Sequence, residues 1–343
     1  MKANYTVSQF NMPPFPQGPD GTLRQVGLEF EFANLSPKET ANLVQRQFGG
    51  EIQEENPHLC YVNTESLGTF TIQVDARMLS EKSYQSFFEK LGIDLDQNIQ
   101  NKSLDEHIEG LLGHIAQDLI PYELTTPPVP LDRLTEIAEL KDIMRENDAK
   151  GTLDSWKYGF GLHLNPEVPA TSPKGILQYL RAFVLLFPWL RQEGKIDLTR
   201  RIMPFIDPFE LGYLRIILPT NYTPDMETLI RDYHHHNPDR NRPLDLYPLF
   251  AHLKPELVKT FSGVGKISPR PTFHYRLPNC EISSPDWHLA DVWNRWLEVE
   301  KLAANSRLLK KASALFQEKQ LRPFLPNEKD WIEYLEQNVI DHE

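Results

Sequence analysis

The sequence contains very few cysteines: Cys60 and Cys280 are the only two in 343 residues. Secreted proteins of this size more often carry several disulfides, so we expect a reducing, cytoplasmic location. No apolar run reaches the roughly 18–20 residues of a membrane span, and the longest, 182–190, is interrupted by Pro188. Residues 1–10 lack the basic segment and apolar run of a signal peptide, so neither export nor a membrane partner is expected.

Positive charge is also scarce. The chain has 36 Lys and Arg residues against 48 Asp and Glu residues, a formal net charge of -12. Nucleic-acid binding depends mainly on Lys and Arg, so this balance argues against a nucleic-acid partner. A local basic cluster can still bind a polyanion such as a nucleotide. With 40% hydrophobic residues, the chain can build the core of one large domain or two small ones.

The chain divides into three predicted parts. Residues 1–22 are rich in Pro, Gly, Asn and Gln, which favours an extended leader lying on the domain. The main domain is predicted over 23–308, with residues 80–105 as a polar insertion, and 309–343 as a helical tail. The sequence shows no internal repeat and no low-complexity tract, so we expect no repeat architecture.

Strand and helix signals alternate irregularly within the main domain. A strand over 25–32 precedes a helix that begins after Ser36, where Pro37 and Glu39 complete a capping box, and ends at Gly49. Further strands are predicted at 60–63, 68–75, 121–126, 158–165, 211–218 and 271–282, and further helices at 104–120, 131–147, 172–190, 285–304 and beyond 310. This order lacks the regular βαβ alternation of a parallel sheet and indicates an α+β fold built on an antiparallel sheet.

Two carboxylates, Glu29 and Glu31, lie two residues apart in the first predicted strand. Residues at this spacing point to the same face of a strand, while Leu28 and Phe30 point to the other. Neighbouring carboxylates repel each other unless a cation or a basic group compensates them. The pair therefore indicates a metal site, although an ordinary amphipathic strand with its polar face in water has the same pattern.

Three other predicted strands also carry side chains that can bind a metal ion. Asp75 closes an apolar strand, Glu123 lies within Y-E-L-T, and His163 and Asn165 share one face of a strand that carries glycines. Carboxylates with an imidazole suit Mg²⁺ or Mn²⁺. A lone strand histidine is also compatible with a satisfied core residue, so the alternatives stay open for each residue taken singly.

The segment 269–280 is the most unusual. If it is a strand, His274 and Arg276 lie on one face, and Arg276 with Arg270 can clamp phosphate oxygens through charge-assisted hydrogen bonds. The other interpretation is that His274 and Arg276 pair with acidic residues across the sheet.

The ordered set of these motifs resembles the amidoligase family. The set runs from G-x-E-x-E-F through a strand that ends in Asp, E-L-T-T-P-P and G-x-G-x-H to an aromatic-Arg strand, over about residues 26–302. The string F-H-Y-R-L-P-N-C is similar to a bacterial branch of that family. The resemblance implies the glutamine synthetase-like fold of carboxylate–amine ligases, in which an antiparallel sheet curves around ATP and its Mg²⁺ ions, with flanking helices.

The resemblance also implies roles for residues. Glu29, Glu31, Glu123 and His163 would be metal ligands beneath ATP, and Arg276 would hold phosphates. Asp75 would position or deprotonate an amine that attacks an acyl phosphate. Arg200 and Arg201 resemble the family's mid-domain arginine and would meet a substrate carboxylate or a phosphate, although a basic pair on a surface loop is equally compatible. The cofactor set further includes Arg270 and Asn279.

Two positions depart from the family pattern. Asn165 stands where many members have a second histidine, and His274 stands where glutamine synthetase-like enzymes have a glutamate. We expect His274 to be a metal ligand too, with Mn²⁺ favoured over Mg²⁺ and with specificity or activity altered. Other residues are interpreted as structural: Arg242 and Asp245 as partners, and the histidines 234–236 as a loop or helix end.

The expected activity is an ATP- and metal-dependent carboxylate–amine ligase acting on an amino acid, a peptide or a small amine. A metal-dependent hydrolase of an amide or phosphate, and a non-catalytic nucleotide-binding descendant, are the alternatives. The sequence permits a homo-oligomer without requiring one. Pairing with a second ligase or an amidotransferase is a further expectation from the resemblance.

Overall fold

The computed structural model describes residues 9–75, 121–152, 160–196, 207–319 and 327–340. Within these ranges the chain forms nine strands: β1 (Gln25–Phe32), β2 (Glu51–Asn56), β3 (Leu59–Thr64), β4 (Gly68–Val74), β5 (Tyr122–Thr125), β6 (Val129–Pro130), β7 (Leu162–Pro166), β8 (Leu244–Asp245) and β9 (His274–Tyr275). The ten helices described are α1 (Pro37–Phe48), α2 (Leu134–Glu146), α3 (Pro173–Glu193), α4 (Leu211–Ile217), α5 (Met226–His236), α6 (Tyr247–Leu253), α7 (Pro255–Val258), α8 (Leu289–Ala304), α9 (Ser306–Lys319) and α10 (Glu328–Asn338).

All nine strands belong to one antiparallel, non-closed sheet. Its order is β2-β3-β4-β5-β1-β7-β9-β8, and the short β6 also pairs with β1. β1 is the central strand and is buried along almost all of its length. The predicted α+β fold with an antiparallel sheet is confirmed.

Helices cover the apolar face of this sheet. α3 packs Tyr179 on Phe273 with ring centroids 5.0 Å apart, and Phe183 on Tyr275 at 5.8 Å. From α8, Trp296 contacts Tyr275 at 5.2 Å. These aromatic contacts hold the two-residue strand β9 against its neighbours, where few ladder hydrogen bonds are available.

Several local predictions are confirmed. β1 spans the predicted residues, and α1 begins with the predicted capping box, in which Ser36 accepts from the Glu39 N–H and the Glu39 carboxylate accepts from Ser36. The strands β3 and β4 form the predicted hairpin, in which Thr64 pairs with Gly68. Each of these elements is determined by residues that are close together in the sequence, which is why the sequence predicts it.

The predicted strand over 211–218 is wrong, because this segment forms the helix α4. Its buried residues Tyr213, Leu214 and Ile217 follow helical spacing and face the core, and β-branched isoleucines are tolerated in a short buried helix.

The long strand predicted over 271–282 is reduced to β9, with isolated bridges at Thr272 and Asn279. Pro271 and Pro278 lack the N–H that a continuous ladder needs. The predicted helix over 285–304 begins later, at Leu289.

Other predictions lie outside the described residues. These are the insertion at 80–105, the helix at 104–120 and the start of the strand predicted at 158; β7 itself begins at Leu162. In the part of the chain that is described, no helix combines the length and apolar character that crossing a bilayer requires.

A buried ion pair joins the start of the sheet to α8. Arg24 donates to both carboxylate oxygens of Glu300, at 2.7 and 2.8 Å, and neither side chain is accessible to solvent. Glu300 also accepts from the Trp296 indole at 2.8 Å and from the Tyr179 hydroxyl at 3.3 Å. The carboxylate is therefore saturated with donors from three elements.

We expect Glu300→Gln to lower the free energy of unfolding by about 3–5 kcal/mol, because the guanidinium of Arg24 would stay buried without its counter-charge. Glu54→Gln is the matched control, since Glu54 pairs with Lys38 at the exposed edge of the sheet and such pairs contribute about 0–1 kcal/mol. Urea unfolding followed by tryptophan fluorescence measures both. Equal losses in the two variants would contradict the structural role of the buried pair.

Candidate metal-binding active site

The antiparallel register collects polar side chains on the face of the sheet opposite α3. Glu31 lies across from Glu123 on β5, and Glu29 lies across from His163 on β7. Directly opposed residues of an antiparallel pair project from the same face. The two carboxylates predicted to share a face therefore meet partners from the strands on both sides.

Glu29 is the centre of this set. Its carboxylate oxygens contact the His163 Nδ1 at 3.0 Å, the Asn165 amide nitrogen at 3.0 Å and the Arg270 guanidinium at 3.1 Å, and the residue is 4% exposed. Burial would raise the pKa of the Glu29 carboxyl, but the charge of His274 and the hydrogen bond from His163 hold that pKa well below its usual range. Glu29 is thus a buried anion.

His163 lies between two carboxylates. Its Nδ1 faces Glu29 at 3.0 Å and its Nε2 faces Glu31 at 3.4 Å. Burial lowers the pKa of His163 to about 3, so the ring is neutral and carries one N–H. One ring nitrogen must then present its lone pair toward a carboxylate oxygen, and a cation held between them would relieve this repulsion.

His274 completes the cluster from β9. Its Nε2 lies 3.4 Å from His163 Nδ1 and 3.6 Å from Glu29 Oε2, while its Nδ1 lies 3.5 Å from Asp245 Oδ2. Asp245 is fully buried and accepts from Arg240 at 2.8 Å. Burial would raise the pKa of Asp245, but the contact with the His274 ring and the charge of Arg240 hold that pKa well below its usual range. A carboxylate behind a histidine orients the ring toward a ligand.

This donor set fits a divalent cation. One ligand atom each from Glu29, His163 and His274 lies within 4.8 Å of the other two, and all three residues are buried. The side-chain oxygen of Asn165 is buried without a hydrogen-bond partner among the described residues, beside the same carboxylate. Two imidazoles with a carboxylate suit Mn²⁺ or another transition ion better than Mg²⁺, which prefers oxygen ligands.

Of the other residues predicted as ligands, Glu31 contacts the cluster through His163, and Glu123 lies opposite Glu31 on β5. Glu31 accepts from the Gly161 N–H at 2.5 Å, besides its contact with His163. Glu123 accepts from Gln73 at 3.1 Å and from Thr125 at 3.0 Å. Asp75, one of the predicted catalytic residues, is buried directly after β4 and donates its N–H to the Pro121 carbonyl, two residues before Glu123 in the sequence.

The predicted arginines differ in their placement. Arg270 contacts Glu29, whereas Arg276 donates to the Arg240 carbonyl at 2.8 Å and its charge acts on His163. Arg200 and Arg201 lie outside the described residues. Asn279 donates to the Lys195 carbonyl at 3.1 Å and to Glu281 at 3.3 Å, at the far end of the same segment.

The histidines 234–236 form the end of α5, as the sequence indicated. His234 contacts the Tyr247 hydroxyl at 2.7 Å and stacks on Phe261, while the His236 ring lies against Tyr213. Their rings therefore pack against different aromatic residues. The predicted partnership of Arg242 with Asp245 is not what the contacts show, because Asp245 pairs with Arg240 and Arg242 bonds to Asn237.

Sequence reasoning missed the importance of Asp245 and Arg240. The local sequence R-P-L-D shows only that Asp245 follows a leucine. This context is equally compatible with a structural ion pair. The contact that matters joins Asp245 to His274, 29 positions later, through the pairing of β8 with β9.

The fold and cluster define a class: an α+β protein with a buried carboxylate–imidazole site that can hold a metal ion at the centre of an antiparallel sheet. A family model described as "Putative amidoligase enzyme" matches residues 22–298, so the chain belongs to this family. The family description supports an enzyme of ligase type, which acts on small carboxylate and amine substrates. Comparison with curated proteins and with solved structures gave no match.

We expect Asp245→Asn to weaken Mn²⁺ binding by about 10- to 100-fold, because the amide no longer holds the His274 ring by charge. Electron paramagnetic resonance of Mn²⁺ titrated into the protein measures the affinity. Asp148→Asn is the control, since Asp148 is an exposed carboxylate paired with Lys150. Unchanged affinity in the Asp245 variant would show that Asp245 does not position a ligand.

Proposed function

We propose that this protein is an ATP- and divalent-metal-dependent ligase that joins a carboxylate to an amine through an acyl phosphate. The observation that carries the proposal is the buried cluster of Glu29, His163 and His274 in a member of the amidoligase family. A buried carboxylate beside two imidazoles is costly to desolvate, and ionisable groups gathered in this way are more frequent at functional sites than elsewhere.

Glu29, Glu31, His163 and His274 would hold the metal, with Glu123 in the neighbouring register position. When bound, the ion would neutralise the negative charge of the phosphoryl group being transferred. The sheet face that carries these residues would curve around the nucleotide, as in glutamine synthetase-like enzymes.

Arg270 and Arg276 are proposed to hold phosphate oxygens. Arg270 is partly exposed and bonds to Glu29 by one nitrogen, so its other nitrogen can reach a phosphate at the same place. Arg276 is fixed by the Arg240 carbonyl beside the cluster. Arg200, Arg201 and Asn279 complete the proposed set of substrate and cofactor contacts.

The reaction proceeds in two steps. An oxygen of the substrate carboxylate attacks the terminal phosphorus of ATP and ADP leaves, which gives an acyl phosphate. The amine nitrogen then attacks the acyl carbon, inorganic phosphate leaves, and the amine proton passes to Asp75. Arginine side chains would stabilise the developing phosphoryl charge in both steps.

His274 and Asn165 set this chain apart from the family pattern, and they have a chemical consequence. An imidazole replaces a carboxylate as ligand, so the site carries one negative charge less. We therefore propose that Mn²⁺ supports the reaction better than Mg²⁺.

The decisive experiment measures ADP release with Mn²⁺ across a panel of amino-acid and polyamine acceptors. We expect sustained release over many turnovers only when a carboxylate and an amine are both present, and we expect Glu29→Gln to reduce it at least about 100-fold. Glu51→Gln is the control, because Glu51 is an exposed glutamate on the edge strand β2.

Two outcomes would contradict the proposed ligase activity and indicate a different function. Phosphate release without any amine, or cleavage of an amide without ATP, would identify a metal-dependent hydrolase. Metal-dependent ATP binding without turnover across the whole panel would identify a non-catalytic descendant.

A further inference from the structure

A second cavity lies between α3, α9 and the loop 218–224, and it has a volume of about 270 Å³. We call it the α3–α9 cavity. On each helix its lining residues recur at the spacing of one helical face, from Lys174 to Arg181 and from Ser306 to Ser313. Among the described residues that line it, none belongs to the metal cluster or to the proposed ligase contacts.

The α3–α9 cavity is positively charged, although the chain has a formal net charge of -12. Its described lining includes three cationic residues and no acidic one: Lys174, Arg181 and Lys310. None of the three forms an ion pair within the described ranges. Cations without counter-ions repel one another, and an anionic ligand would offset this repulsion.

The three cationic residues are neighbours on the facing helices. Lys174 and Arg181 lie one turn on either side of Gln178, and Lys310 lies one turn after Ser306. Gln178 donates to the Ser306 hydroxyl at 2.8 Å, which joins the two helix faces. Since residues one turn apart on a helix have Cβ atoms about 5–6 Å apart, cations from both helices surround this hydrogen bond.

Arg181 is held in place with one nitrogen left over. Its Nε donates to the Ile217 carbonyl, and its Nη2 donates to the carbonyls of Pro219 and Tyr222 at 2.8 and 3.0 Å. Burial lowers the pKa of Arg181, the direction expected for a cation that has no carboxylate beside it. Nη1 has no hydrogen-bond partner among the described residues and is not fully enclosed, so its N–H groups are available to a ligand in the cavity.

Ser313 provides an independent indication of a ligand. It lines the cavity, is 2% exposed, and its hydroxyl has no hydrogen-bond partner in the part of the chain that is described. The hydroxyl oxygen is not fully enclosed, so the access that it retains is through the cavity. Polar groups of side chains this deeply buried are normally hydrogen-bonded, and a ligand would supply the missing partner.

Apolar side chains form another part of the lining. Leu177, Leu218 and Leu309 are each at most 3% exposed. A cavity of about 150 Å³ can hold benzene, so about 270 Å³ has room for a ring-sized organic group together with a charged group.

The donors favour a phosphate as the charged group. A phosphate monoester carries up to two negative charges and three terminal oxygens, whereas a carboxylate carries one charge and two oxygens. Three cations, with the hydroxyls of Thr220 and Thr223 on the loop, therefore match a phosphate better.

We propose that the α3–α9 cavity binds a small organic molecule that carries a phosphate group. The phosphate accepts from Arg181 Nη1 and is attracted by Lys174 and Lys310, while the organic part lies on the buried leucines. This site goes beyond the proposed ligase activity and does not depend on it.

The test is calorimetric titration of the full chain with phenyl phosphate, without added metal. We expect saturable binding at one site, weakened about two- to fivefold by Lys310→Gln and about tenfold by Lys174→Gln combined with Lys310→Gln, since each change removes one exposed positive charge. Arg181→Lys should weaken binding at least about tenfold, because a lysine cannot present a guanidinium N–H. Thermal unfolding followed by circular dichroism verifies folding, and the lysine variants test the proposal even if Arg181→Lys is destabilised.

Lys311→Gln is the matched control, since Lys311 is an exposed lysine next to Lys310 on α9 that does not line the cavity. Arg270→Gln should also keep the affinity, which separates this cavity from the proposed nucleotide site. Absence of saturable binding, equal losses in Lys310→Gln and Lys311→Gln, or loss of binding in Arg270→Gln would overturn the proposal. Binding of inorganic phosphate or of benzoate as tightly as phenyl phosphate would overturn it as well.

Discussion

The buried carboxylate of Glu29 is the constraint on which the arrangement of the site depends. An ion at the middle of the central strand, 4% exposed, costs several kcal/mol in lost hydration unless partners replace the water. The partners come from different parts of the chain: His163 and Asn165 from β7, His274 from β9, and Arg270 from the segment before β9. Any change in strand order would leave the carboxylate without them. The same concentration of donors is what makes the place suitable for a metal ion.

The apolar face of the sheet determines how well His274 is placed. β9 has only two residues, so its ladder hydrogen bonds alone cannot position a side chain. Tyr275 is instead held between Phe183 of α3 and Trp296 of α8, and Asp245 holds the His274 ring from β8. Packing of Tyr275 on the apolar face of the sheet therefore fixes the position of His274 on the polar face.

Contacts between residues close together in the sequence could be predicted, whereas contacts between distant residues could not. Glu29 and Glu31 share a face because strand periodicity is two, and this needs no knowledge of the fold. The juxtaposition of His163 with His274, 111 positions apart, required the order β1-β7-β9. Asp245 was taken for a structural residue because its partner His274 is distant in sequence. The segment 211–218 was predicted as a strand, but residues 211–217 form a helix whose buried side chains pack against the core.

The sequence by itself determined the elements whose signals are local: the strand β1 with its two carboxylates, the capped helix α1, the hairpin of β3 and β4, and an ordered set of motifs that identifies the family. Tertiary structure alone decided which carboxylate is the centre of the cluster and that Asp245 supports His274. The reason is physical. Backbone preferences and side-chain periodicity act over a few residues, whereas charge compensation inside a sheet depends on which strands become neighbours.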